Sequence, residues 1–194
     1  IDARIDRKII QNQLTPSPTA SNYEIVRRLS LDLNGIIPTA KSVKSHGRSP
    51  GFTKYIEERL ADKRFSVHMS KLLTKAFVGR RRDPQARVFR DWLERVIQRK
   101  KPYDFIVKKI LVANPQSKAD VNSGSAYFKR RWEQKSEVIA GQSARVFMGL
   151  QIGCAQCHDH PFSEWKQQQF HQFAAYFSRG NYQYKLKNTR QPQL

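Results

Sequence analysis

The chain has 194 residues and carries 36 lysines and arginines against 16 aspartates and glutamates, which gives a formal net charge of +20. Apolar residues make up 39% and aromatic residues 11%, a composition that supports a packed core and argues against wholesale disorder. The two cysteines are too few for a scaffold held by several disulfides, and no stretch approaches the roughly 20 apolar residues of a transmembrane helix.

Helical periodicity runs through the first half of the chain. The first apolar helical face consists of Ile1, Ile5 and Ile9. Ser21 and Glu24 match a capping box at the start of a second helix, which Gly35 is expected to end. Ser49-Pro50 is expected to begin a third helix, and another apolar face follows and ends at Gly79.

The clearest helix signal lies in the middle of the chain. Asp83-Pro84 predicts its start, and Pro102 predicts its end. Apolar residues line one side of it: Val88, Phe89, Trp92, Leu93, Val96 and Ile97. The polar stretch 114–125 is predicted to be a loop.

The last third of the chain is also predicted to be helical. A long helix is expected over about 127–150, with Gly141 as a candidate break, and Ser163 is expected to cap a last helix that Gly180 ends. No alternating strand pattern and no repeat of fixed period is present. The sequence therefore predicts an all-α fold.

One pentapeptide holds both cysteines: Cys154-Ala155-Gln156-Cys157-His158. Cys-x-x-Cys-His is the attachment signature of c-type haem, in which two thiols form thioethers and the adjacent histidine binds iron as the proximal ligand. We therefore expect one covalent haem c on Cys154 and Cys157, with His158 as the iron ligand. The neighbouring apolar side chains expected to enclose it are Phe147, Met148, Leu150, Ile152, Phe162, Trp165, Phe170 and Phe173.

Two other kinds of site remain open at this segment. Zinc is one, because Cys154, Cys157, His160 and His171 have suitable ligand types, with His158 as an alternative. A thioredoxin-like dithiol is the other, but the βαβ pattern that normally accompanies it is missing. No nucleophile–base arrangement stands out, so no catalytic residue is predicted.

The segment 138–177 resembles the planctomycete cytochrome c family of large secreted proteins, which carries a similar CxxCHDHPF segment and an aromatic-rich helix after it. Matches elsewhere extend the resemblance over most of residues 1–180: the stretches 14–18 and 27–35, Pro38-Thr39, the stretch 90–92 and the stretch 101–104. The resemblance implies an extracytoplasmic haem domain, often joined to further domains, and supplies no reaction. It gives Cys154, Cys157 and His158 a clear role and leaves that of His160 undefined.

The sixth position of the iron is the least determined part of the haem hypothesis. His171 on the last predicted helix is the best candidate for a distal ligand. His160 is too close in sequence to His158 for the opposite face, and a hydrogen bond to the backbone, to Asp159 or to a haem propionate suits it better. The remaining candidates are His68, Met69 and Met148.

Together these features predict an irregular multi-helix domain over 1–180, with a haem-binding loop between its last two helices and a polar tail or linker over 181–194. The predicted function is single-electron transfer by an extracytoplasmic c-type cytochrome domain. The net charge favours an acidic redox partner protein or an adjacent domain. A haem enzyme or small-ligand sensor with an open distal site is one alternative. The other is a zinc-binding basic module that binds nucleic acid, although the sequence shows no zinc-finger spacing, RNA-recognition motif or basic-zipper heptads.

Overall fold

The computed structural model describes residues 2–48, 51–79, 83–178 and 182–183. Within these ranges all regular structure is helical, and the predicted all-α class is confirmed. The α-helices are α1 Asp2–Gln11, α2 Asn22–Asn34, α3 Ala40–His46, α4 Thr53–Ala61, α5 Lys63–Val78, α6 Pro84–Gln98, α7 Tyr103–Val112, α8 Lys118–Ser123, α9 Tyr127–Arg131, α10 Ser136–Ser143 and α11 Gln167–Ala175. A π-helical turn, Ala144–Met148, and a 3-10 turn, Gly153–Gln156, lie between α10 and α11.

The chain forms two compact units, Ile1–Phe65 and Ser66–Leu194. The domain limits expected from the sequence, 1–180 and 181–194, stay a prediction. Of the expected tail, the structure describes only Tyr182 and Gln183, and the rest lies outside the described residues.

The first unit follows its capping signals closely. Ser21 and Glu24 form the predicted capping box at the start of α2, and Gly35 ends that helix in the left-handed region with φ of 68°. The predicted start at Ser49-Pro50 lies outside the described residues, and α4 begins at Thr53. The apolar face of α1 is not buried, since Ile5 is 52% exposed.

The main core of the second unit lies between α6, α7 and α9. Its largest fully buried side chains include Phe89, Leu93, Ile110 and Phe128. Asp83 caps α6 as predicted, because its Oδ1 accepts a hydrogen bond from the Gln85 backbone N–H at 2.8 Å. Its Oδ2 accepts another from the Tyr127 hydroxyl at 2.7 Å. One carboxylate therefore both starts α6 and fixes α9.

Three boundaries differ from the sequence-based expectation. Helix α8 lies inside the predicted loop, because Ser117 caps its start and Gly124 ends it at φ of 98°. The predicted long helix is broken before α10, where Glu133 and Gln134 both have φ of 57°, and not at Gly141. The last helix begins at Gln167, several residues after the predicted cap Ser163.

A smaller core holds the segment with the cysteines against α10 and α11. It consists mainly of small side chains and one aromatic ring: Ala140, Ala144, Ile152, Ala155, Phe170 and Ala174. Alanine has little volume, so the backbones of both helices and of the 3-10 turn approach closely. The cysteine segment therefore lies between the last two helices, where the sequence predicted it, on a packed support.

Candidate functional site

The two cysteines lie on the 3-10 turn that follows the π-helical turn. Gly149 ends the π-helical turn in the left-handed region, with φ of 70°. The backbone N–H of Cys157 then donates to the carbonyl of Cys154 at 3.3 Å and closes the 3-10 turn. Side chains three residues apart eclipse one another in this geometry. The Cys154 and Cys157 thiols are free and exposed, and this one turn brings their backbones together.

The residues between the cysteines anchor the turn to the protein. Ala155 is fully buried in the small core, and Ile152 before the turn is 2% exposed. The Gln156 carbonyl oxygen accepts two hydrogen bonds from α11, from His171 Nε2 at 3.1 Å and from Gln167 Nε2 at 3.2 Å. Since Gln167 and His171 are four residues apart, one face of α11 supplies both donors. Hydrogen bonds from α11 hold the backbone of the turn, while both thiols are exposed to solvent.

His171, the candidate distal ligand, belongs to a buried hydrogen-bond network. It is 6% exposed, and its Nδ1 lies 2.8 Å from the Tyr182 hydroxyl. That hydroxyl donates to Glu137 Oε1 of α10 at 3.0 Å. Both ring nitrogens of His171 therefore have protein partners. The network joins α10, α11, the cysteine turn and Tyr182.

Asp159 orders the loop that leads from the cysteines to α11. Its Oδ1 accepts from the Gln167 backbone N–H at 3.0 Å, and its Oδ2 pairs with Lys166 Nζ at 3.1 Å. The backbone hydrogen bond from Gln167, followed by the hydrogen bond from Lys166, holds the pKa of Asp159 below its usual value. Asp159 therefore has the capping role at α11 that was expected of Ser163.

The two histidines of the loop contact mainly their own backbone. His158, the predicted proximal ligand, is exposed, and its Nδ1 lies 2.6 Å from the Asp159 carbonyl oxygen. His160 Nδ1 accepts from the Phe162 backbone N–H at 3.2 Å. The backbone N–H of His160 donates to the Trp165 carbonyl at 2.8 Å. The backbone hydrogen bond expected of His160 is therefore present.

An open cleft of about 500 Å³ lies beside the turn. Cys154 is part of its lining and Cys157 is not. Most other lining side chains are polar or charged, with a few apolar ones: Glu137, Val138, Gln142, Arg145, Gln151, Ile152, Gln156, His160 and Phe170. Arg145 is held at the wall, since its Nε and Nη2 donate to Gln142 Oε1 at 3.0 and 2.7 Å. The open cleft leaves the Cys154 thiol accessible.

The prediction of a covalent haem c is wrong for this structure, because both cysteines are exposed free thiols and several residues expected to enclose the porphyrin lie elsewhere. Cofactor sites bury most of the ligand surface in a concave and mainly apolar cavity. Phe162 is instead 93% exposed. The Phe147 ring packs against Phe77 and Phe128, with centroids 5.3 and 5.5 Å apart. The two cysteines are exposed free thiols, and the cleft beside them is open.

The zinc alternative also lacks support in the structure. Across the described ranges, no group of three or more His, Cys, Asp and Glu side chains is arranged to hold a metal ion. His171, one of the four suggested ligands, has both ring nitrogens engaged. The ligand roles suggested for His158, His160 and His171 have no independent test, and the structure assigns these side chains the contacts described above.

Several residues that shape the site were not singled out in the sequence. Gln167, Tyr182, Glu137 and Arg145 all contact the turn, its network or its cleft. The spacing between Gln167 and His171 was a usable signal, since residues four apart share a helix face. Tyr182 gave no such signal, because its contacts depend on tertiary folding alone.

Comparisons with known proteins identify the family without supplying an activity. Residues 1–182 match the family PSCyt2, described as a protein of unknown function (DUF1549). This agrees with the resemblance at the level of a planctomycete cytochrome-related domain, but no cytochrome and no electron transfer is confirmed. No curated protein and no solved structure matches the chain. Among the described residues, no helix is long and apolar enough to cross a membrane. The chain belongs to the PSCyt2 (DUF1549) family.

Proposed function

We propose that the domain is a redox module whose working group is the Cys154–Cys157 pair, which cycles between a dithiol and a disulfide. The observation that supports this proposal most is that both thiols are free and exposed, with Cys154 in a single 3-10 turn and Cys157 at its C-cap. A disulfide between two cysteines separated by two residues would close a small ring. The missing βαβ pattern argued against a thioredoxin fold, but dithiol chemistry depends on the pair and its surroundings.

The anchoring of the turn supports a functional pair over two incidental surface thiols. Ala155 and the Gln156 carbonyl hold the backbone between the cysteines, while the sulfur atoms stay accessible. A fixed backbone limits the ordering cost of disulfide formation, because the main chain needs little further restriction. The support therefore favours reversible closure of the pair.

The exchange transfers two electrons and two protons from a partner dithiol to the Cys154–Cys157 disulfide. A partner thiolate attacks Sγ of Cys154, which faces the cleft, and the sulfur–sulfur bond to Cys157 breaks. Cys157 leaves as a thiolate and takes a proton. The second partner thiol then attacks the mixed disulfide, Cys154 leaves as a thiolate and takes a proton, and the partner becomes a disulfide.

The partner is proposed to be an acidic protein or an adjacent domain outside the cytoplasm. The net charge of +20 attracts acidic surfaces over long range. Arg145 adds a positive group in the cleft beside Cys154. Disulfides persist outside the cytoplasm, which suits a pair that must reach the oxidised state.

The proposal is tested by equilibrating the protein with glutathione at a series of redox ratios, followed by acid quenching, thiol alkylation and intact mass measurement. The expected result is one two-electron transition in which both alkylation sites disappear together. The single variants Cys154→Ser and Cys157→Ser should form only mixed disulfides with glutathione. If the wild type also forms only mixed disulfides at every ratio, the proposal is overturned.

A further inference from the structure

A second concave site lies at the corner between α6 and α7, lined by residues that take no part in the thiol site. Its volume is about 350 Å³, within the lower range of pockets that hold small ligands. Four cationic side chains line it: Arg95, Arg99, Lys101 and Lys109. The floor is apolar, with Trp92 and Val96 buried and Phe105 half-buried.

The helix geometry explains why the cations converge. Trp92, Arg95, Val96 and Arg99 follow one face of α6 at helical spacing. The chain then reverses sharply at Lys100, which has φ of 52°. The backbone N–H of Lys101 donates to the Val96 carbonyl at 3.2 Å and closes the corner.

Helix α7 continues the same arrangement on the other side of the corner. Phe105 and Lys109 are four residues apart on α7 and share one face, and Lys101 lies just before the N-cap Pro102. The ammonium nitrogens of Lys101 and Lys109 lie 5.6 and 5.8 Å from the centroid of the Phe105 ring. The aromatic ring therefore holds both lysines at the wall of the pocket.

The positive charge of this pocket is poorly compensated. Asp120 is the one carboxylate among its lining residues, and its Oδ2 already accepts from the Asn114 backbone N–H at 2.7 Å. Within the part of the chain that the structure describes, none of the four cations forms an ion pair. Like charges that converge without counter-charges repel one another, and a bound anion would relieve that repulsion.

We propose that this pocket binds a small organic anion with a phosphate or sulfate group and an apolar body. The tetrahedral oxyanion would accept charge-assisted hydrogen bonds from the arginines and lysines. The apolar body would lie on Phe105 and the exposed edge of the floor. Hydroxyl groups of Ser123 and Ser125 also line the pocket, with their oxygens 3.1 Å apart, and offer further polar contacts.

The test is calorimetric titration of the full chain with phenyl phosphate, phenyl sulfate, inorganic phosphate and phenol. The pocket predicts saturable 1:1 binding of at least one phenyl ester, tighter than that of inorganic phosphate or phenol. A preference between the two esters identifies the oxyanion. Binding of inorganic phosphate as tight as that of both esters, or no saturable binding, overturns the proposal.

Variants separate the pocket from the general positive charge of the protein. Arg99→Ala and Lys109→Ala should each weaken ester binding about tenfold, as expected for the loss of one charge-assisted hydrogen bond. Lys71→Ala on α5 is the matched control, because it removes one exposed cation that does not line the pocket. Equal weakening by all three variants would show non-specific attraction and overturn the proposal. The thiol site is untouched by these variants, so its test stays separate.

Discussion

His171 Nε2 donates to the main-chain oxygen of Gln156 at 3.1 Å, across 15 residues of chain. The sequence presented His171 as a candidate iron ligand, whereas the structure uses it to hold the turn that carries both cysteines. Its other ring nitrogen meets Tyr182, which continues to Glu137. A histidine in this position fixes the geometry of the thiol pair without touching sulfur.

Removing this histidine should destabilise the fold and loosen the turn. For His171→Ala we expect a loss of about 1–3 kcal/mol in the free energy of unfolding, because a buried side chain is truncated, the Gln156 carbonyl loses a donor and the network is interrupted. Urea denaturation measures the change. The neighbouring exposed residue gives a matched control, Gln172→Ala, which should change stability by less than about 0.5 kcal/mol. Equal stability of the two variants would contradict the anchoring role.

Ala155, the first of the two residues between the cysteines, should tolerate no larger side chain. Ala155 is fully buried, so Ala155→Leu should cost about 1–3 kcal/mol and shift the redox midpoint of the thiol pair. Gln156→Ala should leave both quantities nearly unchanged, because the contacts of Gln156 with α11 use only its backbone carbonyl. Denaturation and the glutathione titration measure the two effects. A harmless Ala155→Leu would show that the turn is not supported as described.

Asp159 should contribute to the acid sensitivity of the fold. Its pKa is lowered in the folded state, mainly by the backbone N–H of Gln167, so it stabilises the fold above its unfolded-state pKa. That contribution is lost as the pH falls through the lower folded-state pKa. Asp159→Asn should therefore reduce the fall in stability on acidification, whereas the nearby exposed Glu164→Gln should not. Denaturation midpoints from neutral to strongly acidic pH test this, and parallel curves for Asp159→Asn and wild type would contradict it.

Two glycines should respond to alanine in opposite directions. At Gly124 the φ of 98° disfavours any side chain, and an added Cβ would lie 2.7 Å from the Val88 carbonyl oxygen. Gly124→Ala should therefore cost about 2 kcal/mol or more. At Gly141, inside α10, an added Cβ would meet nothing within 4 Å. Gly141→Ala should stabilise by about 0.5–1 kcal/mol through its helix propensity. Thermal melts distinguish the two, and equal effects would contradict the assigned backbone geometry.

Local signals in the sequence predicted the helical class and several helix ends correctly. Ser21 with Glu24, and Asp83 with Pro84, succeeded because a cap depends on atoms only two or three residues away. The break at Glu133 and Gln134 was missed because two non-glycine residues in the left-handed region depend on the tertiary contacts around them. Ser163 was preferred as a cap for α11 because Asp159 acts from eight residues away.

The sequence predicted where the cysteine segment lies in the fold, but the haem chemistry that it predicted there is wrong. The segment with Cys154 and Cys157 lies between the last two helices, where the sequence predicted it. Whether neighbouring rings enclose a porphyrin depends on where each ring packs. Phe147 packs against Phe77 whereas Phe162 is exposed, and their positions in the sequence do not predict this difference. The pentapeptide alone therefore could not determine the chemistry.

The most direct measurement of the central claim is peptide mapping after mild oxidation with diamide, followed by alkylation and tryptic digestion. Both cysteines fall on the single peptide 146–166, since cleavage is expected after Arg145 and Lys166. The account predicts that this peptide loses two hydrogens, resists alkylation, and recovers both alkylation sites after reduction. A peptide that stays fully alkylated after oxidation, or whose cysteines link only to those of other molecules, would contradict the redox pair.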